Sequence, residues 1–120
     1  MTAAAKPRKE KPLRATVAEA RKAPLPPGRR SALLMEHGTF SLRWYAPDGV
    51  DPQTPHDQDE IYVVHRGSGQ FRCGDRLAEF GPGDVLFAAA GETHRFEGFG
   101  DDLELWVAFW GAKGGEEPKS

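Results

Sequence analysis

The sequence predicts an all-β fold, a closed sandwich of about eight short strands of the jelly-roll kind, preceded by a flexible extension that contains one short helix. From Ser31 onward, short apolar runs alternate with Gly, Pro and Asp, which is typical of short strands rather than helices. Gly74-Asp75 reads as a hairpin turn and Pro82-Gly83 as a type II turn. Such turns favour antiparallel pairing, and closing the sheet removes exposed strand edges.

We expect strands at residues 32–36, 39–45, 61–66, 69–73, 77–80, 85–88, 93–99 and 103–110. In the last of these strands both alternating faces are largely apolar. One face can therefore cover the core while the other meets a partner, and we expect a homodimer.

The extension and the strand region differ in charge. Residues 1–30 carry nine Lys or Arg against two Glu, which leaves the rest of the chain with a net charge of −9. Pro, Ala and Gly leave the extension little to bury, so it is predicted to be largely disordered. The exception is a short helix, because Thr16 and Glu19 have the spacing of a capping box. The predicted organisation is an extension at 1–30, a barrel domain at 31–110 and a flexible tail at 111–120.

Composition excludes several classes of protein. Cys73 is the only cysteine, so an internal disulfide is excluded and a reducing compartment, the cytoplasm, is expected. The longest apolar runs fall well short of a membrane span of roughly 20 residues. The basic extension lacks interleaved aromatics and any recognisable binding motif, so neither nucleic acid nor a membrane is expected as a partner.

Two histidines and a glutamate are the candidate metal ligands. Asp57, Gln58 and Asp59 separate His56 from Glu60, and on one straight strand the pair would lie about 13 Å apart. If His56 ended one strand and Glu60 began the next, a reversal between them would let both side chains reach one ion. A third ligand must come from elsewhere, and His94 at the start of a later strand can meet them at a barrel mouth.

These residues carry a resemblance to the cupin family, which has two short motifs. The end of the first motif, a His, three or four residues, a Glu, six residues and a Gly, is matched by His56, Glu60 and Gly67. The second motif is matched at its two Gly positions and its His by Gly83, Gly91 and His94. The resemblance implies a cupin β-barrel whose metal ligands are His56, Glu60 and His94.

The sequence departs from the family pattern at four positions. Thr54 replaces the first His, Ala89 a Pro and Gly98 an Asn, and Gly49 is one residue out of register. A site without the first His has three strong ligands and more open positions. We expect Thr54, Gln58 and Phe96 to line the pocket, Phe96 because it lies on the same strand face as His94.

Two His and one carboxylate are also the ligands of non-haem Fe(II) oxygenases. We therefore expect a divalent ion, Fe(II) ahead of Mn(II), Ni(II) or Zn(II), and dioxygenation of a small organic molecule. The alternatives are a metal-dependent isomerase or epimerase of a small sugar or keto acid, and a non-catalytic ligand-binding or sensory cupin. Apart from the ligands, the sequence indicates no acid or base.

Overall fold

In the computed structural model, residues 11–49, 51 and 55–117 are described. They form one helix and eight strands in the order α1 (Val17–Lys22), β1 (Ala32–His37), β2 (Phe40–Tyr45), β3 (Asp59–Arg66), β4 (Gly69–Cys73), β5 (Arg76–Phe80), β6 (Val85–Ala88), β7 (His94–Glu97) and β8 (Glu104–Trp110). The ends of each strand lie within three residues of the predicted ends, and the all-β class is confirmed. The position of Thr54 lies outside the described residues.

All strand pairs are antiparallel, and they form two sheets. The larger sheet has the order β1-β2-β8-β3-β6 and the smaller has the order β5-β4-β7. Among the described residues no strand pairs from one sheet to the other. The architecture is therefore a jelly-roll sandwich of two facing sheets, and the complete closure expected from the sequence is not present in this part of the chain.

The helix is fastened to the larger sheet by an ion pair. Thr16 and Glu19 form the predicted capping box, in which the Thr16 hydroxyl accepts from the Glu19 amide and the Glu19 carboxylate accepts from the Thr16 amide. At the other end of the helix, the Arg21 guanidinium donates to both carboxylate oxygens of Glu104 at 2.9 and 2.8 Å. This bidentate pair joins the extension to β8. No helix in the described ranges has the length and apolar character of a membrane span.

Two glycines hold turns that other residues would strain. At the Pro82-Gly83 turn the Asp84 amide donates to the Gly81 carbonyl at 3.1 Å, and Gly83 has φ +90°, which confirms the predicted type II turn. Gly67 has φ +94°, and a Cβ there would lie 2.8 Å from Leu103 Cα. Gly67 therefore permits the close approach of the β3-β4 connection to the start of β8.

The core lies between the inner faces of the two sheets. Because side chains alternate along a strand, Leu105 and Val107 of β8 point inward whereas Trp106 and Ala108 point outward. The buried cluster comprises Tyr45, Tyr62, Val64, Phe71, Phe80, Leu86, Ala88, Phe96, Leu103, Leu105 and Val107. This packed layer forms the floor beneath the end of the sandwich where the candidate ligands lie.

Asp59 secures the loops around that end. Its Oδ1 accepts from the Ala90 amide at 2.9 Å, and its Oδ2 accepts from the Glu116 amide at 3.0 Å. These backbone hydrogen bonds hold the pKa of Asp59 below its ordinary value. The carboxylate thus holds together the start of β3, the turn before β7 and the segment after β8.

Asp59→Ala is expected to lower the free energy of unfolding by about 2 kcal/mol, because two charge-assisted hydrogen bonds are lost. Urea denaturation followed by circular dichroism measures the change. Asp57→Ala is the matched control, since that carboxylate is exposed and its partner Lys113 is 3.8 Å away. Equal stability of the two variants would show that Asp59 does not hold the loops.

Candidate metal centre

The three predicted ligands come together at one end of the sandwich. His56 lies in the loop before β3, Glu60 is the second residue of β3, and His94 is the first residue of β7. Their donor atoms lie within 4.8 Å of one another. Within the described part of the chain, this is the group of His, Cys, Asp and Glu side chains that could hold a metal ion.

The local chain path differs from the expected one in one respect. His56 does not end a strand; it precedes a bend at Asp57 and Gln58, and its carbonyl accepts from the Gly91 amide at 2.8 Å. The reversal that brings His56 to Glu60 is therefore a loop held by the turn before β7. The same turn leads into His94, so one connection positions both histidines.

The hydrogen bonds of His94 fix which ring nitrogen faces the site. Nδ1 lies 2.9 Å from the Glu92 carbonyl, which can only accept, so Nδ1 carries the proton and donates. Nε2 then presents its lone pair to Glu60 Oε1, 3.0 Å away. A ligating histidine usually donates its other ring N–H to a carbonyl or carboxylate in this way.

The separation of His94 Nε2 and Glu60 Oε1 suits two ligands of one ion. Metal bonds of about 2.1 Å meeting at a right angle place their donor atoms about 3 Å apart, which is the separation found here. Two facing lone pairs repel unless a proton or a cation lies between them. Burial disfavours protonated His94, but the Glu60 carboxylate and the Glu92 carbonyl outweigh this and raise the pKa of His94 above its ordinary value.

Two buried atoms of the site have no hydrogen-bond partner among the described residues: His56 Nε2 and Glu60 Oε2. Glu60 and His94 are only 1% and 2% exposed, so water does not readily solvate the site. Buried polar atoms are rarely left without a partner, and a cation bound by all three side chains would satisfy both. The donor set and its geometry therefore fit a divalent metal ion.

Sequence reasoning missed Tyr62. Its hydroxyl lies 3.1 Å from His94 Nε2, and the residue is 1% exposed. Its position in the sequence could have indicated it, since Tyr62 follows Glu60 by two residues on β3 and its side chain therefore lies on the same inward face. Tyr62 thus places a phenol beside the candidate ligands.

The expected pocket residues have different positions. Gln58 lines a cleft beside His56, but its amide donates to the carbonyls of Thr39 and Gly111 at 3.0 Å each, so it secures the loop. Phe96 does share the strand face of His94, yet it packs within the aromatic core and is not among the residues that line the cleft. Thr54 is outside the described residues, and its role as a pocket residue stays a prediction.

The cleft has a volume of about 580 Å³ and opens beside the candidate ligands. Its walls are Gly28, Arg29, Arg30, Ser31, Ser41, Arg43, Pro55, His56, Asp57, Gln58 and Phe109. His56 belongs to both the cleft and the metal centre, and its ring stacks on Phe109 with a centroid distance of 5.0 Å. Arg43 and Phe109 were also missed, because their neighbourhood depends on how β2 and β8 pair.

Comparison with known proteins places this geometry in a family. An uncharacterized protein of Streptomyces coelicolor is 35% identical over 72 residues, which cover 58% of this chain and 69% of that protein. A structure from Rhizobium leguminosarum, described as of unknown function, has a TM-score of 0.68 and 17% identity over 84% of this chain and 98% of that one. A cupin 2 conserved barrel domain protein from Salinispora arenicola has a TM-score of 0.62 and 20% identity over 87% and 92%.

The departure at Gly98 is compatible with the family pattern. Gly98 has φ +59°, a left-handed conformation that both Gly and the family's Asn adopt readily. Gly91 likewise has φ +81° in the turn that binds the His56 carbonyl.

Residues 42–109, more than half of the chain, match the cupin domain family. The protein is therefore a member of the cupin family.

Proposed function

We propose that the chain binds one divalent metal ion through His56, Glu60 and His94 and acts there on a small organic molecule. The observation that supports this is the pair of buried, unpartnered donor atoms, His56 Nε2 and Glu60 Oε2, within a group of three ligand side chains. The adjoining cleft gives a small molecule a route to the site.

The proposed reaction is dioxygenation with Fe(II), ahead of Mn(II), Ni(II) or Zn(II). Three protein ligands leave open positions, and a bound Fe(II) would supply redox chemistry there. The chain's own residues do the positioning. The Glu92 carbonyl orients His94, the Tyr62 hydroxyl is in place to donate a hydrogen bond, and Phe109 gives the cleft an apolar wall beside His56.

The test begins with protein purified without chelators or an affinity tag. We expect elemental analysis and anaerobic titration to find one divalent ion per chain. Oxygen uptake by the Fe(II)-loaded protein is then measured against catechols, thiols and small diketones. Turnover of a sugar or keto acid without oxygen uptake would instead indicate the isomerase, and ligand binding without turnover a sensory cupin.

We also propose that the chain forms a homodimer through the outer face of the larger sheet. Val85 and Phe87 of β6 are 59% and 53% exposed. Their strand partners Val63 and Ile61 lie on the same face, and Val63 also pairs with Trp106 of β8. A contiguous apolar surface of this kind is typical of an interaction site, and a second copy would cover it.

Phe87→Glu is expected to convert the dimer into a monomer, because it places a charge within this apolar surface. Light scattering after size-exclusion chromatography measures the mass. Leu77→Glu is the matched control, since Leu77 is 48% exposed on the smaller sheet. A dimer that survives Phe87→Glu but dissociates with Leu77→Glu would assign the interface to the smaller sheet.

We further propose that the protein works in the cytoplasm. Cys73 is the only cysteine of the sequence and is a free thiol. Reducing compartments keep such thiols free, whereas small secreted domains generally rely on disulfides. Cell fractionation followed by immunodetection tests this.

A further inference from the structure

Three arginines lie around the cleft beside the metal centre. Arg29 and Arg30 come from the segment that follows the helix, and Arg43 comes from β2. Within the described ranges none of the three forms an ion pair with a carboxylate. Arginines placed together without counterions favour the binding of an anion between them.

Arg43 lies on the inner face of the larger sheet. It pairs with Val107, a buried core residue, and Ser41 and Tyr45 share its face. An arginine on an inward face of a β-strand is exceptional, because inner faces are normally apolar. Partial burial, with the added charge of Arg29, lowers the pKa of Arg43, while Glu36 opposes this shift. The site thus keeps a partly desolvated cation close to a second one.

One acidic side chain lines the cleft together with the three arginines. Asp57 lines the cleft, but it is exposed and lies 3.8 Å from Lys113. Glu36 is not among the residues that line the cleft, although its charge raises the pKa of Arg43. The lining of the cleft therefore includes three arginines and one carboxylate, and that carboxylate already has a cationic neighbour.

We propose that the cleft binds a small organic anion, whose carboxylate or phosphate pairs with Arg43 and Arg29 and whose apolar body lies against Phe109. The inference rests on the proposed function, because it names the substrate class of the same site. Phe109 stacks on His56, so a molecule held there is adjacent to a metal ligand. Arg29 and Arg30 make the basic extension part of the substrate site.

Calorimetry on the chelator-treated protein tests the inference with benzoate, phenyl phosphate and the uncharged benzamide. We expect at least one anion to bind about tenfold or more tightly than benzamide, the effect of one charge-assisted contact. Arg43→Gln should weaken anion binding by a similar factor, and Arg43→Lys by less, because a lysine keeps the charge without the planar fork. Arg76→Gln, an exposed arginine of β5 outside the cleft, is the control and should change affinity less than about twofold.

Tighter binding of benzoate or of phenyl phosphate identifies which anion the site takes, and either result supports the inference. Equal binding of benzamide, unchanged affinity in Arg43→Gln or no anion binding would overturn it. Metal titration of the same preparation keeps the two proposals separate. If the protein takes up no metal but binds the anion, and Arg43→Gln abolishes that binding, the anion site is supported and the proposed metal function is contradicted. Metal uptake without anion binding would support the metal function and contradict the anion site.

Discussion

Glu60→Gln and His94→Ala are each expected to lower metal affinity by at least about a hundredfold, since loss of even an outer hydrogen-bond partner of a metal ligand costs roughly 10- to 100-fold. Glu60 supplies the only carboxylate of the three-residue group. Gln keeps the size and shape of the side chain but removes the charge that attracts the cation. Titration with Fe(II) or Mn(II) under anaerobic conditions, with elemental analysis, gives the affinity and stoichiometry.

The two variants separate metal binding from folding. In His94→Ala the buried Glu60 carboxylate loses a partner 3.0 Å away, so this variant is expected to be less stable as well. Glu60→Gln leaves a neutral amide that can still hydrogen-bond to His94, so its circular dichroism spectrum should match that of the wild type. His37→Ala, an exposed histidine at the end of β1, should bind metal normally. One tightly held ion in Glu60→Gln would contradict the proposed centre.

The ligand group could be predicted because its spacing is local. His56 and Glu60 are four positions apart, and the resemblance to the cupin motifs added His94. The strands could be predicted equally well, since Gly and Pro mark their ends in the sequence. Gly67 shows the limit of such a prediction: its place in a motif was visible in the sequence, but its close approach to Leu103 appears only once the strands are packed.

The surroundings of the site could not be predicted in the same way. Arg43 and Phe109 reach one cleft because β2 and β8 pair in a particular register, which no short pattern specifies. Phe96 was expected in the pocket since it shares a face with His94. Residues on the same face of a strand can, however, lie at different distances from the end of the sandwich. Two residues along a strand span about 6 to 7 Å, enough to move Phe96 from the site into the core.

Phe96→Ala is expected to lower the free energy of unfolding by about 3–5 kcal/mol. The Phe96 ring lies at the centre of an aromatic cluster, with centroids 4.9 Å from Tyr62, 5.0 Å from Phe71 and 5.5 Å from Phe80. Truncation removes these contacts and leaves a cavity that rigid strands cannot close. Since small domains are stable by about 5–15 kcal/mol, urea denaturation should show a large shift of the midpoint.

The same substitution should also affect metal binding through Tyr62. The Tyr62 ring packs on Phe96, and its hydroxyl lies 3.1 Å from His94 Nε2. We therefore expect Phe96→Ala to bind metal more weakly even at temperatures where it remains folded, and Phe96→Leu to lose less of both properties. Leu77→Ala is the control, because Leu77 is 48% exposed on the smaller sheet and its truncation creates no cavity. Equal denaturation midpoints for Phe96→Ala and Leu77→Ala would show that the aromatic core does not stabilise the fold. Unchanged metal affinity in folded Phe96→Ala would show that Tyr62 holds its position without Phe96.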